Sequence, residues 1–505
     1  MPANTLMIQG TASSVGKSII VTGLCRIFRQ DGFRVAPFKA QNMALNSFVT
    51  REGDEIGRAQ AVQAEAAGIE PSVLMNPVLL KPEAEDRSQV IVLGKVAKNL
   101  RATQYYSYTP RLLRIIEDSL SRLCSTYDIV IIEGAGSPAE INLKEKEIAN
   151  MRIAKMVNAP VLLVGDIDRG GVFASIIGTL ELLTEVERDL IKGFIINKFR
   201  GDLNLLKPGL NLLQRRSGKP VLGVIPHFRD IIVAQEDSVY LEDRRIRPVD
   251  GNLDVAIIHL PHISNYDDFD ALERQQCTVR YVTNISELGN PDLVILPGTK
   301  STVADLIYLQ QQGLASAIIK LVKSGTPVIG ICGGYQMLGK SIHDPAGVES
   351  NQSSIAGLGL LDVTTVFNHD KTTTQVKARL TTNKGLLKTL KNMEVAGYEI
   401  HMGRTTNLNS EPVFQIVATP GGSADYFDGA INHTGLVVGT YLHGIFHNTE
   451  FTHRLLNNLR QLRGLPQTPA GTMNVQEAYD KLADIIRQNL DMRLVYRIVL
   501  GTNYG

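Results

Sequence analysis

The sequence predicts an α/β protein made of two doubly wound, mostly parallel sheets. Three observations predict it. At 505 residues the chain exceeds what one compact core takes in. Short, near-continuous runs of Val, Ile and Leu alternate with longer helical patterns in both halves, as strands covered on both faces by helices require. The alternation loosens between Pro226 and Asp254, where charged, Pro- and Gly-containing sequence carries no sustained period. These features place domains at 1–235 and 253–450, a linker over 236–252 and a helical C-terminal extension over 451–505.

Composition narrows the possible functions. Hydrophobic residues make up 44% and charged residues 20%, the proportions of an ordinary soluble globular protein. With 52 basic and 51 acidic residues the formal net charge is +1, which gives no basis for a nucleic-acid or membrane partner. No apolar run reaches the ~18 residues of a membrane span. The first strand begins at Leu6 with no signal-like apolar region before it, so a cytoplasmic, unprocessed protein is expected. Cys25, Cys124, Cys277 and Cys332 are widely spaced without a C-x-x-C, which argues against a zinc or disulfide framework.

In the first half, Leu6–Gln9 reads as a strand. It leads into Gly10-Thr-Ala-Ser-Ser-Val-Gly-Lys-Ser18, and a helical pattern carrying Ile19, Ile20, Leu24 and Ile27 follows. Strand, glycine-rich loop ending in Gly-Lys-Ser, then helix is the context of a P-loop, although this loop is one residue longer than the usual spacing. Its N–H groups would cradle phosphates, Lys17 would add a charge, and Ser18 could ligate magnesium. Phe33–Phe38 is the next strand and ends at Lys39. Tyr127–Glu133 is a buried strand delivering Glu133 beside a glycine loop, and 159–168, 191–198 and 220–226 complete the series. Ligands in such sheets bind at the carboxyl ends of the strands. The nucleotide candidates are therefore Ser13, Gly16, Lys17, Ser18, Lys39 and Asn197. Ser18, Glu133 and Asp54 are the metal candidates, because carboxylates near a P-loop are suited to magnesium.

In the second half, strands are expected at 254–261, 279–283, 292–298 and 327–332, with a helix over 303–322. Cys332 ends the last of these strands, bracketed by Gly330 and by Gly333-Gly334. That is the G-x-C-x-G form of a nucleophile elbow, where small neighbours let a strained nucleophile meet a carbonyl. A buried core cysteine before a glycine turn is the competing reading. A cysteine nucleophile needs a histidine close in space. His443, between an apolar run and Gly444, is the leading candidate, with His447 and His401 as competitors.

The blocks Gln9–Ser18, Lys39–Ser47, Glu133–Leu143, Asp166–Phe173 and Asn197–Asp202 resemble the signature blocks of the cobyric acid synthase family, over essentially the whole chain. The lengthened phosphate loop also fits, because the first domain resembles dethiobiotin synthetase. Leu296–Lys300, Gly330–Gln336, Gly397–His401 and Tyr441–Gly444 are similar to the class I glutamine amidotransferase domain of the cobyric acid and cobyrinate a,c-diamide synthases. The resemblance implies a P-loop NTPase-like domain followed by a class I glutamine amidotransferase-like one, using ATP, Mg2+, glutamine and a corrinoid polycarboxylate. It makes Cys332 the nucleophile and His443 its base, with the Gly298 and Gly333 N–H groups as oxyanion donors. Most class I amidotransferases carry a glutamate two residues past the histidine; Ile445 stands there, so no orienter of His443 is named. The family usually has aspartate where this chain has Glu147, a substrate-side acidic candidate of longer reach. The implied activity is amidation of the b, d, e and g carboxylates of adenosylcobyrinic acid a,c-diamide. The alternatives are cobyrinate a,c-diamide synthase and a P-loop switch ATPase with a non-catalytic amidotransferase-like module. Oligomeric state is not legible in the sequence.

Overall fold

The computed structural model describes residues 3–84, 87–228, 252–275, 277–469 and 475–501. Two compact units emerge: one comprises Met1–Ala44, Glu55–Asp237 and Asn474–Gly505, the other Leu45–Asp54 and Ser238–Met473. Save for Asn252, the linker expected over 236–252 lies outside the described residues.

The first unit holds a six-stranded sheet in the spatial order Val221–Pro226, Ile191–Phe199, Val161–Asp166, Asn4–Gly10, Ile129–Glu133 and Val35–Phe38, with every pairing parallel. The strands are short and β-branched because both faces are covered: Ile129–Glu133 is buried at every residue. The phosphate loop follows the Asn4–Gly10 strand and opens the helix Lys17–Gln30. That strand lies between Val161–Asp166 and Ile129–Glu133, so the carboxyl ends of three adjacent strands converge on the loop. A smaller sheet of Gln41–Met43, Val78–Ala84, Arg87–Val92 and Lys95–Arg101 belongs to the same unit and was not foreseen.

The C-terminal region differs from the single extension expected over 451–505. Helix Thr449–Leu462 packs in the second unit, burying Leu455, Leu456 and Leu459. Val475–Asn489 and Met492–Leu500 pack in the first, where Leu482 and Ile486 join Ile20 and Leu24 in one cluster. The approach is close: a Cβ on Gly23 would stand 2.2 Å from Ile486 Cδ1.

The second unit holds a sheet in the order Cys277–Val282, Leu253–Ile258, Leu293–Leu296, Val328–Ile331, Val437–Thr440 and Ala430–Ile431, parallel except for the last pair. The expected helix over 303–322 is two, Thr302–Gln311 and Leu314–Lys323, parted at Gly313, whose φ of 71° breaks the helix. A second sheet carries a long antiparallel ribbon, Val363–Leu380 against Glu394–Asn407, for which the sequence offered no signal.

Candidate functional site

In the second unit the buried strand Val328–Ile331 runs straight into Cys332, which adopts φ 52° and ψ −108°, and the helix Gly333–Leu338 starts at the next residue. A non-glycine residue there stores strain on the order of 1–3 kcal/mol, held by its surroundings. The glycines are steric necessities: a Cβ on Gly334 would stand 2.0 Å from the Leu296 carbonyl oxygen. Although Cys332 is buried, its Sγ is not packed among apolar groups alone. It donates to the Ile400 carbonyl at 3.6 Å, and it lies close enough to His443 to raise the pKa of that imidazole.

His443 follows the Val437–Thr440 strand and is 1% exposed. Its Nδ1 meets Asp268 Oδ2 at 2.7 Å, while the Gly444 N–H donates to Asp268 Oδ1 at 2.7 Å. Burial works against a charged imidazole, but the Asp268 carboxylate, with help from Cys332, outweighs it and pushes the pKa up to about 10. The Tyr398 ring stacks on His443 at 5.3 Å, fixing the plane of the imidazole. A Cβ on Gly298 would meet His443 Cε1 at 2.9 Å, so glycine is required on that side too.

The other two histidines fall into different roles. His447 Nε2 donates to the Asp267 carbonyl at 3.0 Å. His401 stacks on Tyr441 at 3.7 Å, donates from Nδ1 to the Gly403 carbonyl at 3.1 Å, and is pushed down by burial to about 4. Sequence reading missed Asp268 entirely. It sits in the buried turn Asn265-Tyr-Asp-Asp-Phe269, and the one available signal was a pair of aspartates among apolar residues.

In the first unit, Gly16 takes φ 98° beside Asn197, whose Nδ2 donates to the Val15 carbonyl at 2.8 Å. Lys17 Nζ lies across the loop, donating to the Ala12 and Gly136 carbonyls at 3.0 and 3.3 Å. Ser13 is exposed on the loop. Glu133 is the centre of the polar cluster: it accepts from Ser18 Oγ at 2.8 Å, Lys39 Nζ at 3.0 Å and Gln63 Nε2 at 2.5 Å. Burial disfavours its charge, and Lys39 with the hydrogen bonds overcomes this to hold the carboxyl below its usual range.

Ser18 and Glu133 are thus brought together as hard oxygen donors. One hydroxyl and one carboxylate suit Mg2+, which takes its remaining ligands from phosphates and water. Asp54 lies in the second unit, where its N–H donates to Thr50 Oγ1 at 3.3 Å. Glu147 folds back so that its carboxylate accepts from the N–H groups of Ala149, Asn150 and Arg152. Among the described residues no three His, Cys, Asp or Glu side chains cluster as a metal cage. Gln63 and Asn150, which sequence reading also missed, shape this site. Asn150 receives the Ala135 N–H at 3.1 Å and donates to the Ala135 carbonyl at 2.6 Å, pinning the loop after Glu133.

Comparison with known proteins agrees with this division. Residues 6–239 match the CobQ/CobB/MinD/ParA nucleotide binding domain, and residues 254–451 match the CobB/CobQ-like glutamine amidotransferase domain. A cobyric acid synthase of Dehalococcoides mccartyi is 58% identical over 497 residues, covering 98% of this chain and 99% of that one. One from Thermoanaerobacter is 52% identical, covering 98% of each chain, and one from Sorangium cellulosum is 52% identical, covering 99% of each. With both domains present and this similarity running the whole length, the chain belongs to the cobyric acid synthase family of glutamine-hydrolysing amide ligases.

Proposed function

We propose that the chain amidates the b, d, e and g carboxylates of adenosylcobyrinic acid a,c-diamide, with ATP and with nitrogen from glutamine. The observation that carries the nitrogen-donating half is the array in which His443, held by Asp268, stands beside Cys332 on its elbow. The Cys332 sulfur, having given its proton to His443, adds to the side-chain carbonyl carbon of glutamine. The resulting oxyanion is met by the N–H groups of Gly298 and Gly333. Collapse breaks the C–N bond, His443 returns the proton to the leaving nitrogen, and ammonia departs from a glutamyl thioester. Water then hydrolyses the thioester and restores Cys332. Asp268 fixes the His443 tautomer and offsets its charge, as the third member of such arrays does.

The nucleotide half activates the acceptor. A carboxylate oxygen is a poor leaving group, and transfer of the γ-phosphoryl group of ATP makes it a good one, which ammonia displaces. Ser18 and Glu133 would hold Mg2+, which neutralises phosphate charge when bound. Lys17 and Lys39 supply further positive charge, and Ser13, Gly16 and Asn197 shape the loop around the phosphates. Glu147 remains the acidic candidate for the acceptor side.

Product masses after incubation with each corrinoid, ATP and glutamine test the reading. Amides gained by adenosylcobyrinic acid a,c-diamide are expected. Amidation of cobyrinic acid at a and c instead would assign the chain to the diamide synthase activity.

A further inference from the structure

Residues 45–54 belong by packing to the second unit, although the sequence on both sides of them belongs to the first. Within that unit they lie along the turn that carries Asp268. Two buried asparagines form a reciprocal pair there: the Tyr266 N–H donates to Asn46 Oδ1 at 3.1 Å, and the Ser47 N–H donates to Asn265 Oδ1 at 3.0 Å. Asn265 takes φ 53°, a left-handed conformation that asparagine tolerates better than most residues. Its carbonyl receives the Asp268 N–H at 3.1 Å, closing the turn.

The same segment reaches the other side of the array. The Tyr398 hydroxyl donates to the Ser47 carbonyl at 3.3 Å, and Gln375 Nε2 donates to the Val49 carbonyl at 2.9 Å. Val49 packs with Tyr398 and Ile400 in a small apolar cluster of its own. Tyr398 is the ring stacked on His443, and the Ile400 carbonyl is the one beside the Cys332 thiol. Residues 46–49 therefore touch the turn behind His443 and the strand in front of Cys332.

We propose that Asn46 and Asn265 are positioning residues of the glutamine-hydrolysing site, holding the turn that aims Asp268 at His443. Two physical points support it. Each amide accepts from a buried backbone N–H, Asn46 from Tyr266 in the turn and Asn265 from Ser47 in the facing segment, and orphaning such a group costs about 1–3 kcal/mol. The Tyr266 N–H lies two residues before Asp268, and the Asn265–Ser47 bond anchors the start of the same turn, so losing either bond loosens the backbone that aims the carboxylate. The same segment also braces the ring stacked on His443, because the Tyr398 hydroxyl donates to the Ser47 carbonyl. The proposal rests on Cys332 and His443 being the glutamine-hydrolysing pair.

The groups facing His443 are the Asp268 carboxylate, the Cys332 thiol, His401 and the Tyr398 ring. Among them Asp268 is the main support of the imidazolium, so a displaced turn lowers the pH at which His443 loses its proton.

The test uses the full-length chain with Asn265→Gly, which keeps the positive φ and removes only the acceptor, and with Asn46→Ala. Each is assayed for amidation supported by glutamine and by ammonium, beside Cys332→Ala. The ratio of glutamine- to ammonium-supported kcat is expected to fall about tenfold in each variant, the equivalent of one modest hydrogen bond. The alkaline limb of the glutamine-hydrolysis profile is expected to move to lower pH. If Cys332→Ala loses glutamine use while both asparagine variants keep the ratio and the profile, the positioning role is overturned and the site reading stands. Equal loss of both activities, with the ratio kept, also overturns it. Glutamine use surviving in Cys332→Ala overturns the site reading itself.

Discussion

The Asp268 carboxylate stands 2.7 Å from His443 Nδ1 across 175 positions of sequence, and its other oxygen takes the Gly444 N–H. One side chain thus orients the imidazole and fixes the backbone that presents it.

Asp268→Asn follows directly. The amide keeps the shape but can present an N–H to Nδ1 and so favour the wrong tautomer. In a comparable array that change costs on the order of 10⁴ in kcat, and a loss of at least ~10² is expected here. Steady-state glutamine hydrolysis measures it, and ammonium-supported amidation serves as the internal reference.

Gly298→Ala tests the steric side of the same pocket. The added methyl would sit 2.9 Å from His443 Cε1, a distance that real Cβ contacts do not show. The histidine must move, and a 1 Å misplacement costs on the order of 10²-fold. Glutamine hydrolysis should fall by that amount while thermal stability changes little. A fall in stability with hydrolysis retained would contradict the geometry.

Lys39→Met separates binding from folding in the first unit. Glu133 is 1% exposed, and its ion pair with Lys39 is buried. Removing one partner of a buried pair costs about 3–5 kcal/mol, because the remaining charge is uncompensated. A lowered melting temperature is expected, with partial recovery in Lys39→Met/Glu133→Gln. ATP-dependent amidation should stay lost in both variants, whichever nitrogen source is used.

Glu187 offers a pH test remote from either site. Its burial disfavours the charge, but Lys144, the Thr184 N–H and Lys155 hold the carboxyl down at about 2. The unfolded carboxyl lies near 4.5, so the unfolded chain binds more protons between these values. The contribution is fully present above the unfolded value and is lost as pH falls toward about 2. Discounted for the solvent that reaches Lys144 and Lys155, its size is about 1–2 kcal/mol. Melting curves of wild type and Glu187→Gln should therefore differ at pH 7 and converge steadily below pH 4.5.

How much of this was legible in the sequence depends on how local each signal is. The phosphate loop and the Cys332 elbow announce themselves because glycine placement encodes a turn within ten residues. The strand ends at Lys39, Glu133 and Asn197 were readable for the same reason, since an apolar run ends visibly. Asp268 was not. Its partner lies 175 positions away, and an aspartate pair in a loop looks solvated until the fold buries it. The placement of residues 45–54 was equally hidden, because periodicity tells that an element forms but not against which sheet it rests. Helix Val475–Asn489 shows the same limit. Its stripe of Tyr479, Leu482, Ala483 and Ile486 demands a partner surface without naming one.

That last helix bears on how the protein is made. Arg26 binds Asp480 at 2.7 Å, Tyr479 binds Glu65 at 2.9 Å, and the Asp491 N–H donates to the Leu222 carbonyl at 2.7 Å. The nucleotide-binding unit, whose strands are made before the glutamine-hydrolysing unit, is therefore closed by helices made after it. The glutamine-hydrolysing unit can complete its own core beforehand. A premature stop near residue 470 would spare the elbow and strip a wall from Ile20 and Leu24, so the damage from a C-terminal truncation falls on the N-terminal chemistry.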